Sequence, residues 1–353
     1  MKKIAIILLV ALLVGALSAC ALAEEDKPFA GTEIKVYNWY DYIDEAVLGI
    51  FEEEMGIHVN YVNFSQNEDM YTRLSTGAEV YDVVIPSEYM IERLIKEDLV
   101  AELDLDNIPN MENVLDSLRD PIYDPGNAHS VPYTWGTLGI VYNTEMVDEP
   151  ITSWTALLDE KYAGEIFMMD SMRDTLAIGL IMNGYSLNSD DADELEAARE
   201  WLLAQKDSDV VDGYILDQAK DMMAGNEAAM AVMYSGDALY AMEKNDSLAY
   251  VIPDEGSNVW VDGMCVPKAS QNKEAAECFI NFMCRPDIAQ MNMEYIYYSS
   301  PIKQVVDNLS EEELASTAMN PTDEMLARCE YYVDISGFEN ANLYDDIWMD
   351  VLM

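Results

Sequence analysis

Short β-rich runs alternate along the chain with segments of helical periodicity, most of them opened by Ser, Asp or Asn or closed by Gly. Alternation of this kind predicts an α/β fold. In the first part of the chain the predicted elements are a strand over 33–37, a helix from Asp44 to Met55 stopped by Gly56, a strand over 57–63, a helix from Asn67 ended by Gly77, the strand YDVVI and a helix that begins at Ser87.

The same order continues in the second part. The predicted elements there are the segment SWTALLDEKYAG, the strand EIFMM, a helix after Asp170, the long helix DADELEAAREWLLAQ, the strand AAMAVMY, a helix from Ser235 and the strand VWVDGMCVP. A chain of 353 residues with 50% hydrophobic residues exceeds the usual size of one compact unit. Because no repeat or long flexible linker divides the sequence, we expect two interleaved lobes.

The first 20 residues, MKKIAIILLVALLVGALSAC, have the pattern of an export signal, with two lysines, a short apolar stretch and small residues before Cys20. The ending LSAC resembles the lipobox of bacterial lipoproteins, in which the chain is cut before a cysteine that carries a diacylglycerol. We therefore expect a lipoprotein signal peptide over 1–19, a lipid-anchored tether over 20–31, and a place on the outer face of the cell membrane or in the periplasm. The alternative is an uncleaved anchor with an incidental cysteine.

The formal charge of −48 narrows the class of partner. Nucleic acid and anionic lipid need clustered Lys and Arg, so neither is expected to bind, and a charged partner should be a cation. With only His58 and His129 available, a histidine zinc site and a Ser-His-Asp triad are both disfavoured. We expect no metal and no cofactor.

Four cysteines follow the signal segment, and their even number permits disulfides without requiring them. Cys278 and Cys284 lie six residues apart on a predicted helix, about 240° around its axis, so they do not bridge each other locally. Small buried thiols are the favoured interpretation for these two and for Cys265 and Cys329.

Aromatic and acidic residues recur together where the predicted strands end, at the edge of a parallel sheet where ligands bind. Each alone is compatible with an ordinary core ring or helix cap. Together they predict a pocket for an organic cation, because rings attract cations and carboxylates hold ammonium groups. The residues are Trp39, Asp41 and Tyr42; Ser87 and Tyr89; Asp174; Tyr234 and Asp237; and Trp260 and Asp262.

Several segments resemble, in order, the bacterial spermidine/putrescine-binding proteins: YNWYDYI, YDVVIPSEYM, VPYTWGTLGIVYN, MDSMRD, GNEAAMAVMYSGDA, VWVDGMCVP and INFMCRPDIAQ. The similarity runs from about Glu33 to Asp334. It implies a two-lobed periplasmic-binding-protein fold, type II-like, with interlobe crossovers near Trp135 and Trp260. The expected division is 32–136 and 261–306 for lobe 1, and 137–260 and 307–353 for lobe 2.

The resemblance also implies residue roles. Trp39 and Tyr42 match rings that flank the polyamine chain, Trp260 matches a stacking ring, and Tyr298 matches a further ring. Tyr234 stands where the spermidine binder has Trp.

Among the polar residues, Asp41 stands where the family has an acid, and Ser87 and Tyr89 match the polar contacts of a PS.Y turn. Asp174 matches an acid that binds an ammonium. Asp262 matches the acid that holds a central or terminal amine.

Three positions depart from the spermidine binder. Ser171 replaces a second acid, Tyr332 replaces an amide, and Asp237 adds an acid where that protein has a hydroxyl. The number of ammonium sites, and the choice between putrescine and spermidine, therefore stays open.

The resemblance implies that the chain captures polyamine as a monomer and delivers it to the permease subunits of an ABC importer. Alternatives within the same class are binders of other organic cations and a polyamine sensor without an importer. A different class is a secreted glycoside hydrolase, in which paired carboxylates flank the scissile bond. We expect a binding protein rather than an enzyme, because the acids lie at several strand ends of an interleaved chain.

Overall fold

The computed structural model describes residues 27–353. The predicted signal peptide over 1–19, Cys20 and most of the predicted tether over 20–31 lie outside the described residues. Within 27–353, no helix combines the length and apolar character needed to cross a bilayer.

Nine strands and thirteen α-helices make up the described chain. The strands are β1 Glu33–Trp39, β2 His58–Phe64, β3 Val83–Val84, β4 Ser130–Asn143, β5 Ile166–Met169, β6 Val211–Ile215, β7 Met230–Tyr234, β8 Leu248–Val251 and β9 Val259–Cys265. The helices are α1 Glu45–Met55, α2 Asn67–Thr76, α3 Glu88–Lys96, α4 Met172–Met182, α5 Ala192–Asp207, α6 Gln218–Ala224, α7 Ser235–Lys244, α8 Lys273–Met283, α9 Pro286–Ile296, α10 Lys303–Val306, α11 Glu311–Ala315, α12 Asp323–Leu326 and α13 Ala341–Leu352.

Local signals set several of these boundaries. The Asp44 carboxylate accepts from the backbone N–H of Ala46 at the start of α1, which satisfies one of the free donors of the first turn. Gly56 ends α1 with a φ of 71°, and Gly77 ends α2 with a φ of 62°, both in the left-handed region that glycine adopts without strain. The predicted ends of these helices are confirmed.

The long strand β4 organises the sheet. Its first half, 130–137, pairs with β9, and its second half pairs with β7 and β8, always antiparallel. The strands therefore form two groups around β4, in the orders β2-β1-β3-β9-β4 and β8-β4-β7-β5-β6. In each group three strands are mutually parallel and one antiparallel strand lies inside the sheet, so the two groups share one topology.

Helices cover both faces of each group of strands. On one face of the first group, Phe51 of α1 packs edge-on against Phe279 and Phe282 of α8, with centroid distances of 5.2 and 5.1 Å. Helices α2 and α3 cover the opposite face through Met70 and Leu94. In the second group, α4, α5 and α13 lie on one side and α6 and α7 on the other. The fold is two-lobed α/β, with β4 running through both lobes.

Several elements of the structure were not predicted from the sequence patterns or differ from the prediction. Strands β4, β6 and β8 were not predicted, and the run YDVVI contributes only Val83 and Val84 to the sheet. The segment SWTALLDEKYAG, to which the sequence assigned no element type, forms two 3₁₀ helices, over Trp154–Leu158 and Glu160–Tyr162. Strand β4 is buried along almost its whole length and contains Pro132 and Gly136, so it lacks the alternation that marks a half-exposed strand.

Among residues 27–353 all four cysteines are free. Cys265 and Cys284 are buried, while Cys278 and Cys329 are partly exposed. Burial raises the pKa of the Cys265 and Cys284 thiols, and this keeps both uncharged.

Candidate functional site

Asp262 lies on β9, opposite Thr134 of β4, with only 4% of its surface exposed. The Tyr42 hydroxyl donates to its Oδ2 at 2.7 Å and also lies 2.6 Å from the Thr134 hydroxyl. The second carboxylate oxygen, Oδ1, is buried and has no hydrogen-bond partner among the described residues. Burial raises the pKa of Asp262 to about 6, while the neighbouring Tyr42 and Ser87 hydroxyls act in the opposite direction. An added cation would therefore stabilise the charged form of this carboxylate.

Four aromatic rings form a contiguous cluster next to this carboxylate. The ring of Tyr298 lies 5.3 Å from Tyr42 and 5.3 Å from Trp260, and Trp260 lies 5.9 Å from Tyr234. All three contacts are edge-on, with interplanar angles of 69–76°. The indole Nε1 of Trp260 is buried and finds no acceptor within the described part of the chain. The predicted rings Tyr42, Tyr234, Trp260 and Tyr298 are thus brought together.

Two glycines make room for these rings. A Cβ at Gly136 of β4 would stand 2.7 Å from both the Trp260 ring and the Ser235 hydroxyl. A Cβ at Gly236 would collide with the ring of Tyr298. Both positions therefore need glycine so that β4 and the first turn of α7 can approach the rings closely.

Asp174 lies in the first turn of α4 and is 3% exposed. Three hydroxyls surround its carboxylate: Ser171 at 2.5 Å and Tyr234 at 2.7 Å on Oδ2, and Tyr332 at 3.1 Å on Oδ1. Burial raises the pKa of Asp174, although these hydroxyls and Arg173 favour its charged form. Ser171 and Tyr332, two of the three departures from the spermidine binder, both contact this acid.

Asp237 lies in the first turn of α7 and pairs with a lysine. Lys220 Nζ is 3.3 Å from Asp237 Oδ1, and the Tyr298 hydroxyl donates to Asp237 Oδ2 at 3.0 Å. Burial raises the pKa of Asp237, while Lys220 opposes that effect. This third acid already has a cation beside it.

The residues of the PS.Y turn interact mainly with α2. Ser87 and Tyr89 each accept a hydrogen bond from the Asn67 amide, at 3.1 and 3.0 Å. The Tyr89 hydroxyl donates to Glu68 at 3.1 Å, and its ring meets the ring of Tyr332 edge-on at 6.2 Å. The backbones of Ser87 and Asp262 also form an isolated antiparallel β-bridge, which places the turn beside the Asp262 carboxylate with its unpartnered oxygen.

The remaining two predicted residues lie at the end of β1. Trp39 is partly buried; its Nε1 donates to the Ile85 carbonyl at 2.8 Å, and its ring packs on Phe64 with a centroid distance of 4.4 Å. Asp41 is exposed, with a φ of 48°. Its charge raises the pKa of Lys220, so these two residues are electrostatic neighbours.

Sequence reasoning missed Glu88, Lys220 and Thr134 as parts of the site. Glu88 is fully buried, and its carboxylate accepts from the backbone N–H groups of Val261 at 3.0 Å and Tyr332 at 3.2 Å. Burial raises the pKa of Glu88 to about 8. Glu88 directly follows a predicted site residue, which was the available signal. Lys220 and Thr134 carry no such signal, because only the folded chain brings them to the acids.

One cavity reaches the ring cluster at Tyr298, and a second has none of the four rings in its lining. The first is lined by Thr134, Asn292 and Tyr298, and the second, of about 170 Å³, by Trp135 and Met319 among others. The unpartnered oxygen of Asp262 lines neither of them.

The two lobes share a central strand, and both contribute buried carboxylates and aromatic rings. This arrangement is that of a solute-binding protein of the type II class. The chain belongs to the bacterial extracellular solute-binding protein family, whose model matches residues 46–322.

Two bacterial relatives agree with this assignment. The chain is 31% identical to the spermidine/putrescine-binding periplasmic protein of Escherichia coli, covering 88% of this chain and 89% of that protein. It is 30% identical to the putrescine-binding periplasmic protein SpuD of Pseudomonas aeruginosa, covering 95% of each chain. The resemblance to spermidine/putrescine-binding proteins is confirmed, and both relatives are named as periplasmic binding proteins.

Solved structures support the fold. The spermidine/putrescine substrate-binding protein PotD of Streptococcus pneumoniae aligns with a TM-score of 0.81 and 40% identity, over 92% of this chain and 99% of that one. The PotD lipoprotein of Treponema pallidum aligns with a TM-score of 0.82 and 25% identity, over 90% and 99%. The expected two-lobed fold is confirmed.

Proposed function

We propose that this protein captures a polyamine between its two lobes and presents it to the permease subunits of an ABC importer. The observation that carries the proposal is the carboxylate of Asp262, which is buried with one oxygen tied to Tyr42 and the other without a partner in the described chain. A buried carboxylate in this state is stabilised by an ammonium group that completes its hydrogen bonds.

The surroundings of Asp262 fit an alkyl chain with two charged ends. The rings of Trp260 and Tyr298 offer apolar surface for methylene groups and a negative face for cations. Asp174 supplies a second buried acid on the far side of Tyr234, which donates to it. A diamine or triamine has this alternation of charge and hydrocarbon, whereas a monovalent metal ion or a sugar does not.

Capture requires the lobes to move, because the rings of the site contact one another directly. We infer lobes of 32–136 with 261–306, and of 137–260 with 307–353, which close around the amine by bending β4 and the entry to β9. Tyr89 in the first lobe and Tyr332 in the second would form part of the closed interface.

We further propose that Cys20 carries a lipid that holds the monomeric protein at the outer face of the membrane. The LSAC sequence supports this, and so does the name of the Treponema pallidum relative, which is called a lipoprotein. Labelling of the cells with a radioactive fatty acid tests the anchor: the wild type should incorporate the label and Cys20→Ser should not. Equal incorporation in the Cys20→Ser variant would contradict the lipid anchor at this residue.

Calorimetry with putrescine, spermidine, thiamine and a neutral sugar tests the ligand class. We expect heat and a rise in melting temperature with the amines only, the latter following RT ln(1 + [L]/Kd). Stabilisation by thiamine alone would assign another organic cation, and hydrolysis of a glycoside would favour an enzyme. Absence of heat and of a melting shift with both amines at millimolar concentration would reject the proposal.

A further inference from the structure

Lys220 lies on α6 and points its ammonium group at an acid of the site. Its Nζ is 3.3 Å from Asp237 Oδ1, and only 18% and 16% of the two side chains are exposed. Asp237 in turn accepts from Tyr298, whose ring contacts Trp260 and Tyr42. The Lys220 ammonium is therefore connected to the ring cluster through a single carboxylate.

The environment of Lys220 matches the one that a ligand ammonium needs. Burial alone would lower its pKa, but Asp237, Asp217 and Asp41 together raise it, so the amine stays charged. The ring of Tyr240 lies 5.3 Å from Nζ, within the range of a cation–π contact. Carboxylates and a ring thus surround an ammonium that the protein itself supplies on a four-carbon stem.

Three acids of the site, the buried Asp262 and Asp174 and the partly buried Asp237, each accept a hydrogen bond from a tyrosine, and they differ in whether a cation lies beside them. Asp262 and Asp174 have hydroxyl donors, whereas Asp237 alone has an ammonium within 4.0 Å among the described residues. We propose that Lys220 fills one ammonium position of the cleft and so makes the site selective for diamines over triamines. This inference rests on the proposed function and specifies its ligand.

The reason is a count of charges and partners. A diamine such as putrescine has two ammonium groups, which Asp262 and Asp174 can hold. The third ammonium of spermidine would either displace Lys220 from Asp237 or lie near a cation without a carboxylate of its own. Both outcomes weaken triamine binding, because an unpaired or repelled charge in a desolvated cleft is unfavourable.

The test is titration of the intact protein and of Lys220→Met with putrescine and spermidine at physiological salt. Methionine keeps the length and apolar stem of lysine and removes its charge. We expect the ratio of spermidine affinity to putrescine affinity to rise about tenfold or more, since Asp237 loses its own cation and can then pair with the third ammonium of spermidine. Lys220→Gln provides a second uncharged variant if the methionine variant does not fold.

Lys244→Met is the matched control. Lys244 lies over the same Tyr240 ring at 5.1 Å but pairs with the exposed Glu243, at 3.9 Å, rather than with an acid of the site. The double variant Lys220→Met with Asp237→Asn should lose the gain in spermidine affinity, because the freed carboxylate is gone.

The outcomes separate the two proposals. If Lys220→Met and Lys244→Met gain spermidine affinity equally, the effect comes from the change in net charge alone. That result would overturn the role of Lys220. If the wild type binds both amines and Lys220→Met shows the same ratio of spermidine to putrescine affinity, the role of Lys220 is overturned. The proposed function stays intact in that case. If the wild type binds neither amine, the proposed function and the inference both fail.

Discussion

The Tyr42 hydroxyl donates to Asp262 at 2.7 Å, across 220 positions of the chain, and leaves the other oxygen of that carboxylate unpartnered within residues 27–353. Tyr42 follows β1 and Asp262 lies on β9, two strands separated in the sheet only by the two-residue β3. The hydrogen bond therefore orients the carboxylate before any ligand arrives, which lowers the entropic cost of binding.

Replacement of Asp262 by Asn should weaken polyamine binding about a hundredfold or more. Asn keeps the shape of the side chain and removes the charge, and loss of one partner of a buried ion pair costs about 3–5 kcal/mol, compared with about 0.5–2 kcal/mol for one cation–π contact. The control is Glu196→Gln on α5, an acid that pairs with Arg199 at the surface. We expect the control to change affinity less than about threefold, since exposed charges are screened. Equal calorimetric affinities for the two variants would show that the pocket lies elsewhere.

Polyamine affinity should decrease as the pH falls below about 6. The pKa of Asp262 in the free protein is raised to about 6, so at lower pH the carboxyl must release a proton before it pairs with an ammonium. Each pH unit below this value then costs up to about tenfold in affinity. Calorimetry between pH 5 and pH 8 measures the effect, and Asp262→Asn, with nothing to titrate at this position, should show a flatter profile. A wild-type affinity independent of pH over this range would argue against Asp262 as the ligand of the amine.

The sequence predicted well those elements whose signals are local. Helix α1 needed only the Asp44 cap, an amphipathic run and Gly56, and all three act within a few residues of the helix. Strand β4 was missed because its identity depends on burial by both lobes, which is a property of the assembled fold. The run YDVVI forms a shorter strand than predicted: only Val83 and Val84 belong to β3, although the flanking N–H groups of Asp82 and Ile85 still donate to carbonyl groups of β1.

The site, like the fold, was predicted only where the signals are local. Aromatic and acidic residues after strands are visible in the sequence, and Tyr42, Asp174, Trp260 and Asp262 do lie in one connected network. The partners of the acids are not visible, since the pairing of Lys220 with Asp237 joins two helices through the tertiary fold. Whether an acid is free for a ligand therefore follows from the structure and not from the motif.

Glu88 should make the protein less stable as the pH rises. Its pKa is about 8 in the folded protein and 4.5 for an ordinary glutamate, so the folded chain binds this proton more tightly than the unfolded chain between these values. The contribution to the free energy of unfolding is therefore largest below pH 4.5 and falls by a few kcal/mol as the pH rises to 8.

Denaturant melts of wild type and Glu88→Gln at a series of pH values check this. Gln resembles the protonated acid, so the stability of the variant relative to wild type should increase steadily from pH 5 to pH 8. The matched control is Glu196→Gln, whose difference from wild type should stay constant over the same range. A constant difference for Glu88→Gln as well would mean that Glu88 is already charged at pH 5.

Trp260 should report ligand binding through its fluorescence. Its ring contacts Tyr298 and Tyr234 at 5.3 and 5.9 Å, and its buried Nε1 has no acceptor in the described chain, so an amine seated beside it changes both the polarity and the charge around the indole. The protein contains six tryptophans, and single replacements are therefore needed to assign the signal.

We expect polyamine to change the emission of wild type and of Trp348→Phe, because Trp348 lies on α13 against Tyr214 and outside the ring cluster. In Trp260→Phe the change should be largely lost, while calorimetry still detects binding, since Phe retains a ring with a weaker attraction for cations. A signal that survives in Trp260→Phe and disappears in Trp348→Phe would place the ligand next to α13 and away from Asp262.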